Sequence, residues 1–226
     1  MNDHPIIKAV YVPECPEITG SPDEGIWSSA TGYPLSNSKD KAGCPQEGGL
    51  VKFAWNQHGL YVAAKLEDSC VVAKNKRDEQ FHYMFGDVFE LFLKPRNDEY
   101  YWEMYATPRG NKTTLFFPAE RSGVTLDRCL NDHDFHGLET AAIIHRSEHE
   151  SGSSEQGWSA EMWIPASQLS HYGEPWGETS NWSILCGRYN YSNEALTDPE
   201  LSMLPSLSKT NFHLTNEYAS LYFSRS

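Results

Sequence analysis

Two glutamates stand inside apolar, aromatic stretches of the chain. Glu90 lies in the run Asp87–Lys94, and Glu103 lies in the run Glu99–Thr107. An acidic side chain in such a run has to be solvated, paired or used to bind a ligand, because burying an isolated carboxylate is costly. This pair is therefore the leading candidate for a functional site.

The pair admits three interpretations. The two carboxylates could form the polar floor of a ligand-binding site, or they could lie on a solvated sheet face with Lys94 or Arg188 as cross-strand partners. They could also be the acid and the base of a glycoside hydrolase or lyase. Catalysis is the least favoured interpretation, because it requires a cleft and one carboxyl group with a raised pKa, and the sequence reveals neither.

The runs that carry the two acids predict neighbouring β-strands. They are rich in β-branched and aromatic residues, and the intervening Arg96–Asp98 is typical of a turn. Alternating apolar residues or short apolar runs predict further strands. These cover Ile6–Val12, a hairpin within Leu50–Asp68, Thr113–Phe117, Ala141–His145, Trp158–Ile164, Trp182–Cys186 and Tyr218–Phe223.

Many short strands without a long amphipathic helix are typical of an all-β protein. We predict an antiparallel two-sheet β-sandwich of the immunoglobulin-like or jelly-roll type, formed by one domain over residues 1–226. Pro165 predicts a short helical turn, and the proline- and serine-rich segment Ala195–Ser208 predicts a loop. Large aromatic side chains dominate sandwich cores. The tryptophans expected in the core are Trp27, Trp55, Trp158, Trp163 and Trp182.

Composition limits the partners. Hydrophobic residues make up 39% of the chain and charged residues 22%, as in a globular protein. The formal net charge of −13 repels phosphate backbones and anionic membrane surfaces, so neither nucleic acid nor a membrane is an expected partner. The sequence also has no apolar run of the roughly 18 residues that spanning a bilayer requires. The oligomeric state stays open.

The N-terminal sequence MNDHPIIKAVYV lacks the basic and apolar regions of a secretory leader. The protein would be secreted or periplasmic if a leader precedes this sequence, and cytoplasmic if the sequence is the full gene product. Localisation is therefore open.

Metal-binding signals are weak. The five cysteines are scattered, and we expect free, mostly buried thiols. Residues 145–149 match the inverted zinc-protease pattern H-x-x-E-H, but a strand-like segment precedes them and a Gly/Ser-rich segment follows, whereas zinc binding requires a helix. The segment Asn131–His136 is interpreted as a hydrated acidic loop rather than a calcium or transition-metal site. No cofactor is required.

Six motifs, in order along the chain, resemble those of family 9 carbohydrate-binding modules. They are DEGIW, FAWNQHGLYVAAKLED, GDVFELFLKP, an aromatic strand ending in TPRG, GWSAEMWIP and NFHLTNEYASLYF. The resemblance extends from about Ile18 to Phe223. It implies a bacterial β-sandwich that binds glucans or xylans, such as cellulose and xylan, and serves polysaccharide degradation. Structural calcium is frequent in such modules, and the acidic composition permits it without locating a site.

The resemblance also implies positions for the ligand contacts. Members of the family hold the sugar between two tryptophans, while a glutamate and an arginine on adjacent strands bind its hydroxyls. Glu90 matches the glutamate, and Phe212 falls at or near one of the tryptophans. Met84, which has an aromatic residue on each side, takes the position of the other tryptophan, and Glu103 takes the position of the arginine.

We therefore predict non-catalytic carbohydrate binding by aromatic stacking and by hydrogen bonds from carboxylate and arginine groups. The predicted contacts are Glu90, Glu103, Phe212, Phe85, Tyr83, Tyr105 and Arg188. Besides the hydrolase or lyase, two alternatives stay open. One is a haem-binding domain of the same sandwich type, motivated by Met84, Met104 and the histidines. The other is a structural or interaction domain that has lost its sugar site.

Overall fold

The computed structural model describes residues 4–22, 25–39, 43–74, 76–119, 125–149 and 152–225. The strands in this part of the chain are β1 (Ile6–Tyr11), β2 (Tyr33–Pro34), β3 (Ser36–Asn37), β4 (Gly49–Asn56), β5 (Gly59–Glu67), β6 (Val88–Pro95), β7 (Tyr101–Ala106), β8 (Lys112–Phe117), β9 (Glu139–His149), β10 (Gly152–Pro165), β11 (Trp182–Asn190), β12 (Glu200–Leu204) and β13 (Ala219–Ser224). The helices are α1 (Leu126–Asn131) and α2 (Ala166–Leu169), with short 3-10 turns at Gly25–Ser28, His82–Met84, Ser170–Tyr172 and Thr215–Glu217. The all-β prediction is confirmed, and α2 is the helical turn expected after Pro165.

The main strands form one hydrogen-bonded path, in the order β8-β7-β6-β11-β13-β1-β4-β5-β10-β9. Most neighbours are antiparallel, but β1 runs parallel to both β13 and β4. The prediction of an antiparallel arrangement throughout is therefore wrong. The strand β1 joins two halves of one mixed sheet, where the sequence predicts two separate sheets. Residue alternation within a strand reports its exposed and buried faces but not the direction of its neighbours, so this difference was invisible in the sequence.

The largest apolar core lies between the two halves of this sheet. Val62 and Met162, from β5 and β10, belong to the same buried cluster as Leu91 and Met104, from β6 and β7. The two halves thus pack face to face, as the layers of a sandwich do. Of the five tryptophans expected in the core, Trp27, Trp55, Trp158 and Trp182 are buried, and Trp163 is partly buried.

A second apolar cluster covers the outer face of β6, β7 and β11. Phe92, Tyr105 and Leu185 of the sheet meet Phe212 and Tyr218 from the segment between β12 and β13. The strand β12 pairs with β11 and lies within the segment predicted as a loop, so the loop prediction is wrong in this part. The helix α1 was also absent from the sequence-based prediction. This covering segment is what shapes the candidate site.

The five cysteines differ in how deeply they are buried. All five cysteines are free, but Cys15 and Cys44 are exposed, so the expectation of mostly buried thiols is wrong for these two. Cys129 and Cys186 are buried, as expected.

In the part of the chain that the structure describes, no helix has the length and apolar character needed to cross a bilayer.

Candidate functional site

A cavity of about 270 Å³ lies on the outer face of β6, β7 and β11. Because successive side chains of a strand point to opposite faces, Glu90 and Phe92 of β6 face this cavity while their immediate neighbours face the core. The covering segment and α1 close it from above. Its described lining consists of Tyr83, Glu90, Phe92, Glu103, Tyr105, Leu126, Tyr189, Leu201, Thr210, Asn211, Phe212 and His213.

The strand register brings the two predicted acids to one cavity. Glu90 lies opposite Tyr105, and Phe92 lies opposite Glu103, so the two glutamates are diagonal neighbours on the same face. Glu90 is 2% exposed and Glu103 is 5% exposed. The hydroxyl of Tyr105 donates a hydrogen bond to Oε1 of Glu103. The two acids therefore do not lie on an open, solvated sheet face.

The two carboxylates affect the pKa values of the tyrosines beside them. Burial raises the pKa of Tyr105 well above its ordinary value, and the negative charges of Glu103 and Glu90 raise it further. Burial and the same two carboxylates also raise the pKa of Tyr189. Both hydroxyls therefore stay protonated at neutral pH, so each of them can donate a hydrogen bond.

Aromatic rings form the walls of the cavity. The Tyr83 ring lies 5.5 Å from that of Tyr189 and meets the Tyr105 ring edge-on at 6.4 Å. Phe212 meets Tyr189 edge-on at 6.0 Å. The Phe212 ring also lies directly over Gly187, where an added Cβ would come within 2.7 Å of it. The absence of a side chain at Gly187 therefore lets Phe212 pack against the sheet.

The covering segment adds neutral polar groups and one imidazole. Nδ1 of His213 lies 2.8 Å from the hydroxyl of Tyr101, and Nε2 lies 4.0 Å from Oε2 of Glu103. The backbone N–H of His213 donates to Oδ1 of Asn211 at 3.1 Å. Thr210 also lines the cavity. His213 is thus held between the covering segment and β7.

Five of the seven predicted contacts line the cavity, namely Glu90, Glu103, Tyr83, Tyr105 and Phe212. Phe85 is not among the lining residues, and 36% of it is exposed. Sequence reasoning did not assign Tyr189, Asn211 or His213 to the site. The sequence did contain a signal for Tyr189. Because side chains alternate between the two faces of a strand, Tyr189 lies on the same outer face of β11 as Leu185 and Gly187.

Arg188 lies on the opposite face of β11. Its neighbour Gly187 is opposite Glu90, whereas Arg188 is opposite Phe89, which faces the core. The buried guanidinium donates to the backbone oxygen of Glu67 at 2.6 Å and to Oδ2 of Asp68 at 3.4 Å. The structure therefore places Arg188 in a buried polar network outside the cavity.

Among the described residues, no group of three or more His, Cys, Asp or Glu side chains could hold a metal ion. Nε2 of His133, from the acidic segment, instead lies 2.8 Å from the backbone oxygen of Thr114. The H-x-x-E-H pattern falls in the strand β9 rather than on a helix. Of the two methionines considered for haem, Met104 is enclosed in the core and Met84 is 57% exposed.

Comparison with known proteins supports the fold. No protein-family model and no curated protein matches the sequence. A crystal structure of a Bacteroides uniformis protein presumed to bind carbohydrate is similar, with a TM-score of 0.68 at 14% identity, covering 98% of this chain and 100% of that one.

Two structures of a family 9 carbohydrate-binding module from Caldicellulosiruptor kristjanssonii are also similar at 14% identity, and each covers 98% of this chain. The complex with cellotriose has a TM-score of 0.65 over 94% of that chain, and the complex with glucose has 0.61 over 96%. The resemblance found in the sequence is thus confirmed at the level of the fold, which is that of a family 9-like module.

Proposed function

We propose that this protein is a non-catalytic carbohydrate-binding module and that its ligand enters the cavity between Tyr83 and Phe212. The observation that carries this proposal is the composition of one concave site, in which aromatic walls surround a polar floor of two carboxylates. A sugar ring needs both kinds of surface, because its C–H faces pack on aromatic rings while its hydroxyls require hydrogen-bond partners. The solved structures of similar fold with bound cellotriose and glucose support the same proposal.

Each part of the cavity has a role in this proposal. The rings of Phe212, Tyr83 and Tyr189 stack against the sugar, and Glu90 and Glu103 accept hydrogen bonds from its hydroxyls. Asn211 supplies a neutral polar group at the covering segment. The volume of about 270 Å³ is close to the lower end of small-molecule pockets, about 300 Å³. It therefore favours a monosaccharide or one end of a plant-type oligosaccharide or polysaccharide.

Titration calorimetry with glucose, cellobiose, xylobiose and soluble glucan or xylan fragments tests the proposal, with a glycan array to widen the search. We expect Phe212→Ala and Glu90→Ala each to weaken binding by about tenfold or more, which corresponds to about 1.4 kcal/mol. Phe85→Ala is the matched aromatic control, because Phe85 does not line the cavity. No binding to any glycan, or equal loss in the Phe85 variant, would contradict the proposed site.

The presence of both carboxylates in one cavity also keeps a glycoside hydrolase or lyase as a second candidate. Such enzymes place two carboxyl groups on either side of the bond that they cleave. Turnover of a chromogenic glycoside that is abolished by Glu103→Gln would establish this activity. Binding without turnover across a panel of substrates would favour the module.

A further inference from the structure

A second concave site, of about 340 Å³, lies where the segment before β6 meets the turn between β7 and β8. Its charged lining groups are Lys74, Lys76, Arg109 and Glu194, and the rest of its described lining is the segment Val71–Ala73. We call this site the basic cleft. Three positive charges and one negative charge meet here in a chain whose formal net charge is −13. The basic cleft therefore attracts an anion locally, although the protein as a whole repels anions.

Backbone hydrogen bonds fix one side of the basic cleft. The carboxylate of Asp87 accepts the N–H of Val72 at 2.5 Å, and the N–H of Asp87 donates to the backbone oxygen of Val72 at 2.7 Å. The N–H of Lys74 donates to the backbone oxygen of Phe85 at 2.8 Å. These bonds tie the segment that carries Lys74 to the residues that lead into β6. Arg109 reaches the same cleft from the turn between β7 and β8.

The three cations of the basic cleft differ in their partners. Nζ of Lys74 lies 3.4 Å from Oε2 of Glu194 and also donates to the backbone oxygen of Glu194. Lys76 and Arg109 are exposed, and neither side chain has a hydrogen bond or an ion pair within the part of the chain that the structure describes. Two of the three positive charges are thus available to a ligand. A guanidinium binds a carboxylate or a similar oxyanion through two parallel hydrogen bonds.

The residues Tyr83–Phe85 connect the basic cleft with the candidate cavity. Tyr83 lines the cavity, and Phe85, two residues later, accepts the N–H of Lys74 from the cleft. Two steps of about 3.8 Å along the chain separate the Cα atoms of Tyr83 and Phe85. Met84, between them, is exposed. An extended glycan that has one end in the cavity can therefore cross this turn and reach the cleft.

We propose that the basic cleft binds an anionic group, a carboxylate or a sulfate ester, on a glycan whose end occupies the candidate cavity. This inference rests on the proposed carbohydrate-binding function and adds a second contact to it. Lys76 and Arg109 form charge-assisted hydrogen bonds with the anionic group. Lys74 adds a third positive charge, which Glu194 partly offsets in the absence of a ligand.

Titration calorimetry of the unmodified protein with two pairs of glycans tests this inference. One pair is xylotriose and xylotriose with a single glucuronate branch, and the other is cellotriose and cellotriose with a single sulfate ester. At least one anionic derivative should bind about threefold to tenfold more tightly than its neutral parent, because each exposed ion pair contributes modestly. The pair that shows this gain identifies the anionic group as a carboxylate or a sulfate.

The same titrations separate the inference from the proposed function. If the neutral glycans bind and neither derivative binds more tightly, the inference fails and carbohydrate binding stands. If neither the neutral nor the anionic glycans bind, the inference and the proposed function fail together.

Four variants trace the gain to the basic cleft. Lys76→Met and Arg109→Met should each lower the ratio of anionic to neutral glycan affinity, while Lys8→Met, at an exposed position of β1, should leave the ratio unchanged. Glu194→Gln should raise the ratio, because it removes the carboxylate that competes for Lys74. Circular dichroism verifies that each variant is folded. An unchanged ratio in Lys76→Met and Arg109→Met, or a lower ratio in Glu194→Gln, would contradict the proposed site.

Discussion

Tyr105 donates its hydroxyl hydrogen to the carboxylate of Glu103, two positions earlier on the same strand. Both side chains are almost fully buried, so this bond orients a carboxylate that borders the cavity. Tyr105→Phe removes the donor without changing the ring. We expect a loss of about 1–3 kcal/mol in the free energy of unfolding, measured with urea, and weaker sugar binding.

Tyr100 offers a matched control for this change. Its hydroxyl is also buried, but it has no hydrogen-bond partner among the described residues. Tyr100→Phe should therefore be neutral or slightly stabilising, because it removes a buried polar group that gains nothing from the fold. An equal loss of stability in the two variants would contradict the role given to the Tyr105–Glu103 bond.

Gly187→Ala is expected to disturb the cavity from within the sheet. The added Cβ would lie 2.7 Å from Cε2 of Phe212, so the ring must move away from β11. Because Phe212 forms a wall of the cavity, sugar affinity should fall by about tenfold or more while the sheet itself persists. Calorimetry measures the affinity, and near-ultraviolet circular dichroism reports the altered aromatic packing.

Gly32→Ala is the control for this substitution. The atoms nearest to a Cβ at position 32 belong to the Leu50 side chain, at 3.8 Å, which is an ordinary van der Waals contact. Sugar affinity should therefore be unchanged in Gly32→Ala. Unchanged affinity in Gly187→Ala would show instead that the position of the Phe212 ring does not matter for binding.

The sequence predicted the floor of the site better than its walls. Glu90 and Glu103 were recognisable because an acid within an apolar strand is conspicuous, but it is the register of β6 and β7 in the structure that places both on one face. The walls depend on how the segment between β12 and β13 folds over the sheet. Nothing in the local pattern of His213 or Asn211 reports that contact, because it joins positions more than a hundred residues apart, such as Tyr101 and His213.

Arg188 shows that a residue near a site in the sequence need not point its side chain into that site. The pattern around Gly187 identified a strand end, but assigning Arg188 to the sugar required its side chain to share a face with Glu90. The register places Gly187, not Arg188, opposite Glu90. A shift of one residue in a strand exchanges its two faces, and register between distant strands is set by tertiary packing. The parallel pairing of β1 escaped prediction for the same reason.

Arg188→Met is expected to destabilise the fold severely without altering the cavity. It removes a fully buried guanidinium that donates to Glu67, Asp68 and Asn190. Removing one partner of a buried ion pair leaves the other charge uncompensated, at a cost of about 3–5 kcal/mol. Urea unfolding measures this loss, and the fraction that is still folded should bind sugar with unchanged affinity.

Arg109→Met is the matched control, because Arg109 is exposed. Its free energy of unfolding should change by no more than about 0.5 kcal/mol, as is usual for surface positions. If Arg188→Met loses sugar affinity while it remains as stable as the unmodified protein, Arg188 contacts the ligand after all.

The stability of the protein should fall as the pH rises above neutrality. Asp87 accepts backbone N–H groups from Val72 and Tyr191, yet burial, and then the negative charge of Asp68, raise its pKa from 3.8 to about 8. Between these two values the folded protein retains a proton that the unfolded chain has released. The contribution of Asp87 therefore favours folding at low pH and is lost as the pH rises through about 8.

At lower pH, two buried histidines have the opposite effect, because they make the free energy of unfolding rise with pH. Burial lowers the pKa of His82 and of His133 below 6.5, so below that pH the unfolded chain binds more protons than the folded protein and stability rises with pH. Well above 6.5 these histidines are neutral in both states, and the slope from there up to about 8 reports Asp87 together with its neighbour Asp68, whose pKa burial also raises.

Urea unfolding across this window should therefore show a free energy of unfolding that falls with pH. Asp87→Asn should flatten the slope, because an amide does not titrate, whereas Asp127→Asn, at an exposed position, should retain it. The slope separates the titration of Asp87 from any constant stability cost of the substitution, since such a cost shifts the whole curve without tilting it. A free energy that stays level or rises with pH in the unmodified protein would show that Asp87 is already ionised in the fold at neutral pH.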